Sequence, residues 1–220
     1  MTVALDTDPA MAKPWIDAAA PTHPSLIDEA HVTDELFGFQ NVPMAVWIDE
    51  SGNLVQPAHA ASIEGGGLPP DFDISAFPPR IAGRFEQVMR IPRTHDRYRP
   101  ALLDWVANGA ASRHALRPDD VVARSQPLPI EHARAAACFE LGHHLRATVG
   151  EAAAVPYWRE AHALFPENWT YKRQAWTLVT TKPGEPADLI QEETGPYEGN
   201  WLDDVVAIGA ENYALPPTTW

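Results

Sequence analysis

Cysteine is almost absent from this 220-residue chain: Cys138 is the single one. No intramolecular disulfide and no cysteine-based zinc cage within one chain can therefore form. Basic residues are scarce too, with 16 Lys and Arg against 30 Asp and Glu and a formal net charge of -14. That balance repels phosphate backbones and anionic lipid surfaces, so neither nucleic acid nor a membrane surface is an expected partner. No apolar run reaches the length of a membrane helix, and Met1-Thr2-Val3-Ala4-Leu5 leads straight into Asp6, unlike a signal peptide. A soluble, cytoplasmic protein is the expectation. A phosphate loop, a GxSxG elbow and a nucleotide fingerprint are also missing, since Gly65-Gly66-Gly67 is followed by Leu68-Pro69-Pro70 and not by a helix. No cofactor is expected.

What is present supports a real core: 45% hydrophobic residues and eight Trp. Val3 to Asp6 reads as a short strand closed by Asp8 and Pro9, and Lys13 to Ala20 as a helix broken by Pro21-Thr22-His23-Pro24. Ser25 to Asp28 is extended, and a second helix covers about His31 to Phe37. Val42-Pro43 then leads a strand ending in Ile48-Asp49, and Gly52 supports a tight turn into a returning strand. The Gly- and Pro-rich stretch that follows reads as a loop or linker, placed at 65–92. From Arg93 the pattern is helical, with Tyr98, Leu102, Trp105 and Val106 on one stripe ended by Gly109.

The order strand, helix, short strand, helix, Val-Pro, hairpin, with Val42-Pro43, Ile48-Asp49 and Gly52 in their places, resembles the second half of a thioredoxin fold. The likeness is to the TlpA-type redoxins, bacterial thiol-disulfide oxidoreductases. It covers residues 1–64 and implies an α/β thioredoxin-like partial domain. It also implies that the bond before Pro43 is cis and that Val42 and Pro43 bind an extended substrate strand, the protein thiol or disulfide partner. The plainer alternative is a proline that merely starts a strand. That family works through a Cys-x-x-Cys motif upstream of these elements, and this chain has no such pair. This chain is accordingly expected to be inactive in thiol-disulfide exchange, with no catalytic residue of its own.

The resemblance further implies a missing central strand between those like Val3–Asp6 and Met44–Asp49. Each buried backbone group left unpaired there costs about 1 to 3 kcal/mol. Three resolutions follow: a segment preceding Met1, a strand donated by another chain, or direct pairing of the two strands in a rearranged sheet. A shortened reading frame is the expected one.

Within a helical region at 93–220, residues 135–168 resemble a tetratricopeptide repeat, a helix-turn-helix unit of about 34 residues. Leu141-Gly142 and Leu145 fall on its first helix, Ala154, Trp158 and Ala161 on its second, and Pro166 at its end. Gly142 takes the place of close helix approach, and Cys138 stands where the repeat usually has Trp. A third helix from Asn168 would cover the pair. As an alternative function, the thioredoxin-like platform and these helices form a non-catalytic protein-binding module, with Trp169, Tyr171 and Trp176 as exposed anchors.

Other constellations carry less. Cys138 is expected to be a buried small hydrophobe. Glu140-x-x-His143 is a single i, i+3 pair where carboxylate-bridged metal bundles need two, so His143 and His144 are expected to be solvated or capping. His23 and His31 flank a short strand with no third ligand, and no metal site is expected. Asp203 and Asp204 beside Trp201 read as a solvated helix face.

Overall fold

The computed structural model describes residues 1–63, 72–125, 127–180 and 201–213. Within it, Thr2–Ala4 (β1), Pro9–Ala19 (α1) and Ser25–Ile27 (β2) form a parallel crossover, with Val3 opposite Leu26. Asp8 starts α1 by accepting from the Ala10 N–H at 2.9 Å, the usual service of an aspartate at a helix N-cap. Helix α2, Val32–Phe37, follows. Met44–Ile48 (β3) and Leu54–Ala60 (β4) form an antiparallel hairpin. Its turn is built by Asp49, whose Oδ1 accepts from the N–H groups of Ser51 and Asn53 at 2.9 and 2.8 Å. Gly52 there sits at φ +82°, a region open to glycine.

The sheet pairing settles one of the three resolutions. The strands form two separate two-stranded sheets, β1 with β2 and β3 with β4. Among the described residues, β1 is not paired directly with β3. No strand follows Ala60 among the described residues.

Residues 72–92 correct the expected linker, whose positions 65–71 lie outside the described residues. A 3-10 turn at Ile74–Ala76 and a helix at Pro79–Val88 (α3) occupy this stretch. Pro79 is the first residue of α3, where a missing N–H costs nothing, so the Pro-Pro pair starts a helix instead of breaking one. Phe72, Phe77 and Phe85 pack together around it, with centroids 5.1 to 5.5 Å apart.

His95–Asn108 (α4), Pro118–Arg124 (α5), Ile130–Thr148 (α6), Glu151–Leu164 (α7), Trp169–Thr180 (α8), Trp201–Ile208 (α9) and Ala210–Tyr213 (α10) complete the order. The chain divides into two units, each drawn from two stretches of sequence: 1–40 with 128–201, and 41–127 with 202–220. These cut across the chain-order division into 1–64, 65–92 and 93–220. No described helix is long and apolar enough to cross a membrane.

In the second unit, Trp47 of β3 lies parallel to Trp105 of α4 at 4.8 Å between centroids, with Tyr98 and His59 against it. The buried side of α4 is Tyr98, Ala101, Leu102 and Trp105. Val106 was expected on that stripe and is 71% exposed, because one residue beyond Trp105 turns about 100° round the helix. The Gln56 Nε2 donates to the His114 carbonyl at 2.9 Å, and the Leu116 N–H donates to the Val55 carbonyl, tying the segment before α5 to β4.

In the first unit, α6 and α7 are joined by Val149-Gly150 and lie in close contact at Gly142 and Trp158. A Cβ on Gly142 would fall 2.5 Å from the Trp158 ring. Ala135, Ala154 and Ala161 are fully buried around that contact.

Candidate functional site

Val42 and Pro43, the substrate-binding positions implied by the redoxin resemblance, are both exposed at the entry to β3. The peptide bond between them is cis. The Pro43 carbonyl accepts from the Ala61 N–H at 3.0 Å. The Val42 N–H, which an incoming strand would use, donates to the side-chain Oδ1 of Asn41 at 2.9 Å. Asn41 is itself held by Tyr213, whose hydroxyl donates to that same Oδ1 at 3.3 Å while the Tyr213 carbonyl accepts from Nδ2 at 3.4 Å. A strand docking here must therefore displace Asn41.

Sulfur chemistry has little footing. Cys138 is partly exposed, not buried as expected. Desolvation and the Glu160 carboxylate push its thiol above the ordinary range, against the opposing Arg134, whereas exchange chemistry requires a lowered one.

A set of buried polar groups surrounds α2, and the sequence reading missed it. Asp28 accepts from the N–H groups of Val32 and Thr33 at 3.0 and 2.7 Å and from the Thr33 hydroxyl at 2.6 Å, so it caps α2 from outside. Partial burial pushes that carboxyl up, yet the hydrogen bonds from Thr33 and Val32 outweigh it and hold Asp28 below its usual range. His31 sits between, at φ +54° and 4% exposed. Its ring packs edge-on to Phe139 at 4.9 Å and nearly parallel to His143 at 6.2 Å. His143 in turn touches Phe139 and Trp158. It was expected to be solvated or capping and is instead part of this interior, while its neighbour His144 is exposed.

Neither ring nitrogen of His31 has a hydrogen-bond partner, and the His143 Nε2 has none. Burial lowers His31 to about 4, against a small opposing pull from Asp28. Burial, His31 and Arg146 lower His143 to about 3. Both imidazoles are therefore neutral at pH 7.

Asp34, 2% exposed, carries the opposite shift. Its Oδ2 lies 3.1 Å from the Thr170 hydroxyl and accepts from the Asn168 Nδ2 at 3.3 Å, while Oδ1 has no partner. Desolvation pushes the carboxyl up to about 7. The Thr170 hydroxyl also lies close to the Asn168 Oδ1. One hydroxyl proton cannot serve both oxygens, so a protonated Asp34 donating to Thr170 satisfies the set. Asn168 also accepts from the Thr170 N–H at 3.0 Å, starting α8, and donates to the Phe39 carbonyl at 3.4 Å. The Trp169 N–H donates to the Gln40 carbonyl at 2.8 Å. The start of α8 is thereby bonded to α2 and the residues after it.

Trp169, Tyr171 and Trp176, the anchors of the binding-module alternative, are 4%, 3% and 0% exposed. They serve as core and offer no partner surface. No group of three or more His, Cys, Asp or Glu among the described residues is arranged to hold a metal ion. Asp203, expected on a solvated face, instead pairs with the buried Arg84 and lies 3.8 Å from Arg80. Comparison of the chain with family models, with curated proteins and with solved structures gives no match.

Proposed function

We propose that this chain is the second half of a thioredoxin-like redoxin domain joined to a tetratricopeptide-like helical region. On this reading it is related to thiol-disulfide oxidoreductases and carries out no exchange by itself. The observation that supports it most is the strand arrangement: a parallel crossover, a helix and an antiparallel hairpin, in that order, with each sheet having two strands among the described residues. A redoxin sheet deprived of its central strand leaves such a pair of halves. The strand and the paired cysteines would come from a segment outside this sequence or from another chain, and the exposed Val42-Pro43 would receive the protein thiol or disulfide partner. A cytoplasmic setting belongs to the same proposal, in keeping with the acidic balance.

The single cysteine, with its thiol held up, supports the absence of exchange activity. Dithiothreitol-linked reduction of insulin by the purified chain tests this. The reading expects the rate of dithiothreitol alone; sustained turnover above that background overturns it.

A further inference from the structure

We propose that the His31–His143 pair makes the seating of α2 on α6 and the start of α8 acid-sensitive, so that proton uptake by the two imidazoles releases this helix. The inference does not depend on the redoxin reading.

The geometry leaves a protonated His31 without a hydrogen-bond partner and with Asp28 as its nearby counter-charge. His31 is held inward by its left-handed backbone, a conformation histidine tolerates better than most residues. Its surroundings are the rings of Phe139 and His143. The acidic groups on its own side are Asp28, Asp34 and Glu35. Asp28 already accepts three hydrogen bonds at the head of α2, and Asp34 is turned to Asn168 and Thr170 of the α8 start. From α6, the Arg146 charge acts on His143 and is of the wrong sign. From α7 the Trp158 ring lies against His143, and from α8 the Tyr171 ring packs on Phe139, its hydroxyl kept protonated by burial and by the Asp34 and Glu35 carboxylates. Two cations 6.2 Å apart, His31 buried and His143 half-buried, would repel each other, and releasing α2 returns both to water.

The sign follows from linkage. Both histidines have folded-state values below the ordinary 6.5, so their contribution is complete above pH 6.5 and is lost as pH falls below it. Each histidine weakens seating by up to about tenfold per pH unit in that window. Asp34 works the other way between 3.8 and about 7, because the seated state holds its proton more tightly. The net expectation for the native chain is about tenfold weaker seating per pH unit between 6.5 and 4.5.

Hydrogen exchange of the α2 amides, corrected for intrinsic rates, reads this out. Their protection should fall about tenfold per pH unit in the native chain and about a hundredfold in Asp34→Asn, which lacks the counterweight. It should become nearly flat in His143→Phe or in His31→Asn, the latter chosen because asparagine tolerates the left-handed backbone. Equal slopes in the native chain and the histidine variants would overturn the proposal. Should both variants fail to fold, the histidine ring resonances of the native chain decide. Two imidazoles still neutral at pH 5 in the seated state support it, and titration of all nine near 6.5 refutes it.

Discussion

Gly142 of α6 lies under the indole of Trp158 of α7, so close that a Cβ would stand 2.5 Å from both Cδ1 and Nε1 of the ring. Trp158 is fully buried and has no flexible end to swing aside. Gly142→Ala must then push the helices apart, an overpacking that costs about 1 to 3 kcal/mol. The better helix propensity of alanine returns about 1 kcal/mol. A net loss of up to about 2 kcal/mol in urea denaturation is expected, and a raised midpoint would contradict the contact.

Trp47 and Val106 make a contrasting pair near α4. Trp47 is 2% exposed and stacked on Trp105, so Trp47→Ala should lose about 3 to 5 kcal/mol. Val106 is 71% exposed, and Val106→Ala should stay within about 0.5 kcal/mol of the native chain. Comparable losses in the two variants, measured by thermal or urea unfolding, would disprove the assigned face of the helix.

Asp34 gives a pH signature. Its folded value of about 7 lies above the ordinary 3.8, so its stabilising contribution is full below pH 3.8 and disappears as pH rises through 7. Asp34→Asn removes that dependence. The stability difference between variant and native chain should drift in favour of the variant by up to about 1.4 kcal/mol per pH unit between 4 and 7, then level off. Parallel stability curves across that range would show that the carboxyl is not held protonated.

Cys138 should behave as an ordinary or sluggish thiol. Desolvation and Glu160 hold it protonated above the usual range, so its alkylation by iodoacetamide should keep accelerating with pH past 9. A rate plateau below pH 8 would mark a reactive thiolate and count against the reading of this residue.

Much of the local structure was legible in residue pattern. The Asp49 turn and the strands on either side of it follow from a local rule, because a single side chain dictates the geometry, whereas the tight contact at Gly142 and the helix from Asn168 are read from the tetratricopeptide resemblance. The linker reading failed where Pro78-Pro79 opens a helix, since proline's meaning depends on its place in the helix. The buried set around α2 was not legible at all. His31, Asp34, His143 and Asn168 are scattered over 138 positions, and only the docking of α2 on α6 and α8 brings them together. Polar residues that far apart carry no periodic signal, and a histidine destined for the interior looks like one destined for solvent.

Among the described residues, each of the two sheets has two strands. Nuclear Overhauser contacts between backbone protons of a uniformly labelled chain test this most directly. Cross-strand contacts should link β1 only to β2 and β3 only to β4, with Val3 opposite Leu26 and Ala45 opposite His59. A ladder joining Thr2–Ala4 directly to Met44–Ile48 would close the sheet without a further strand and contradict the account.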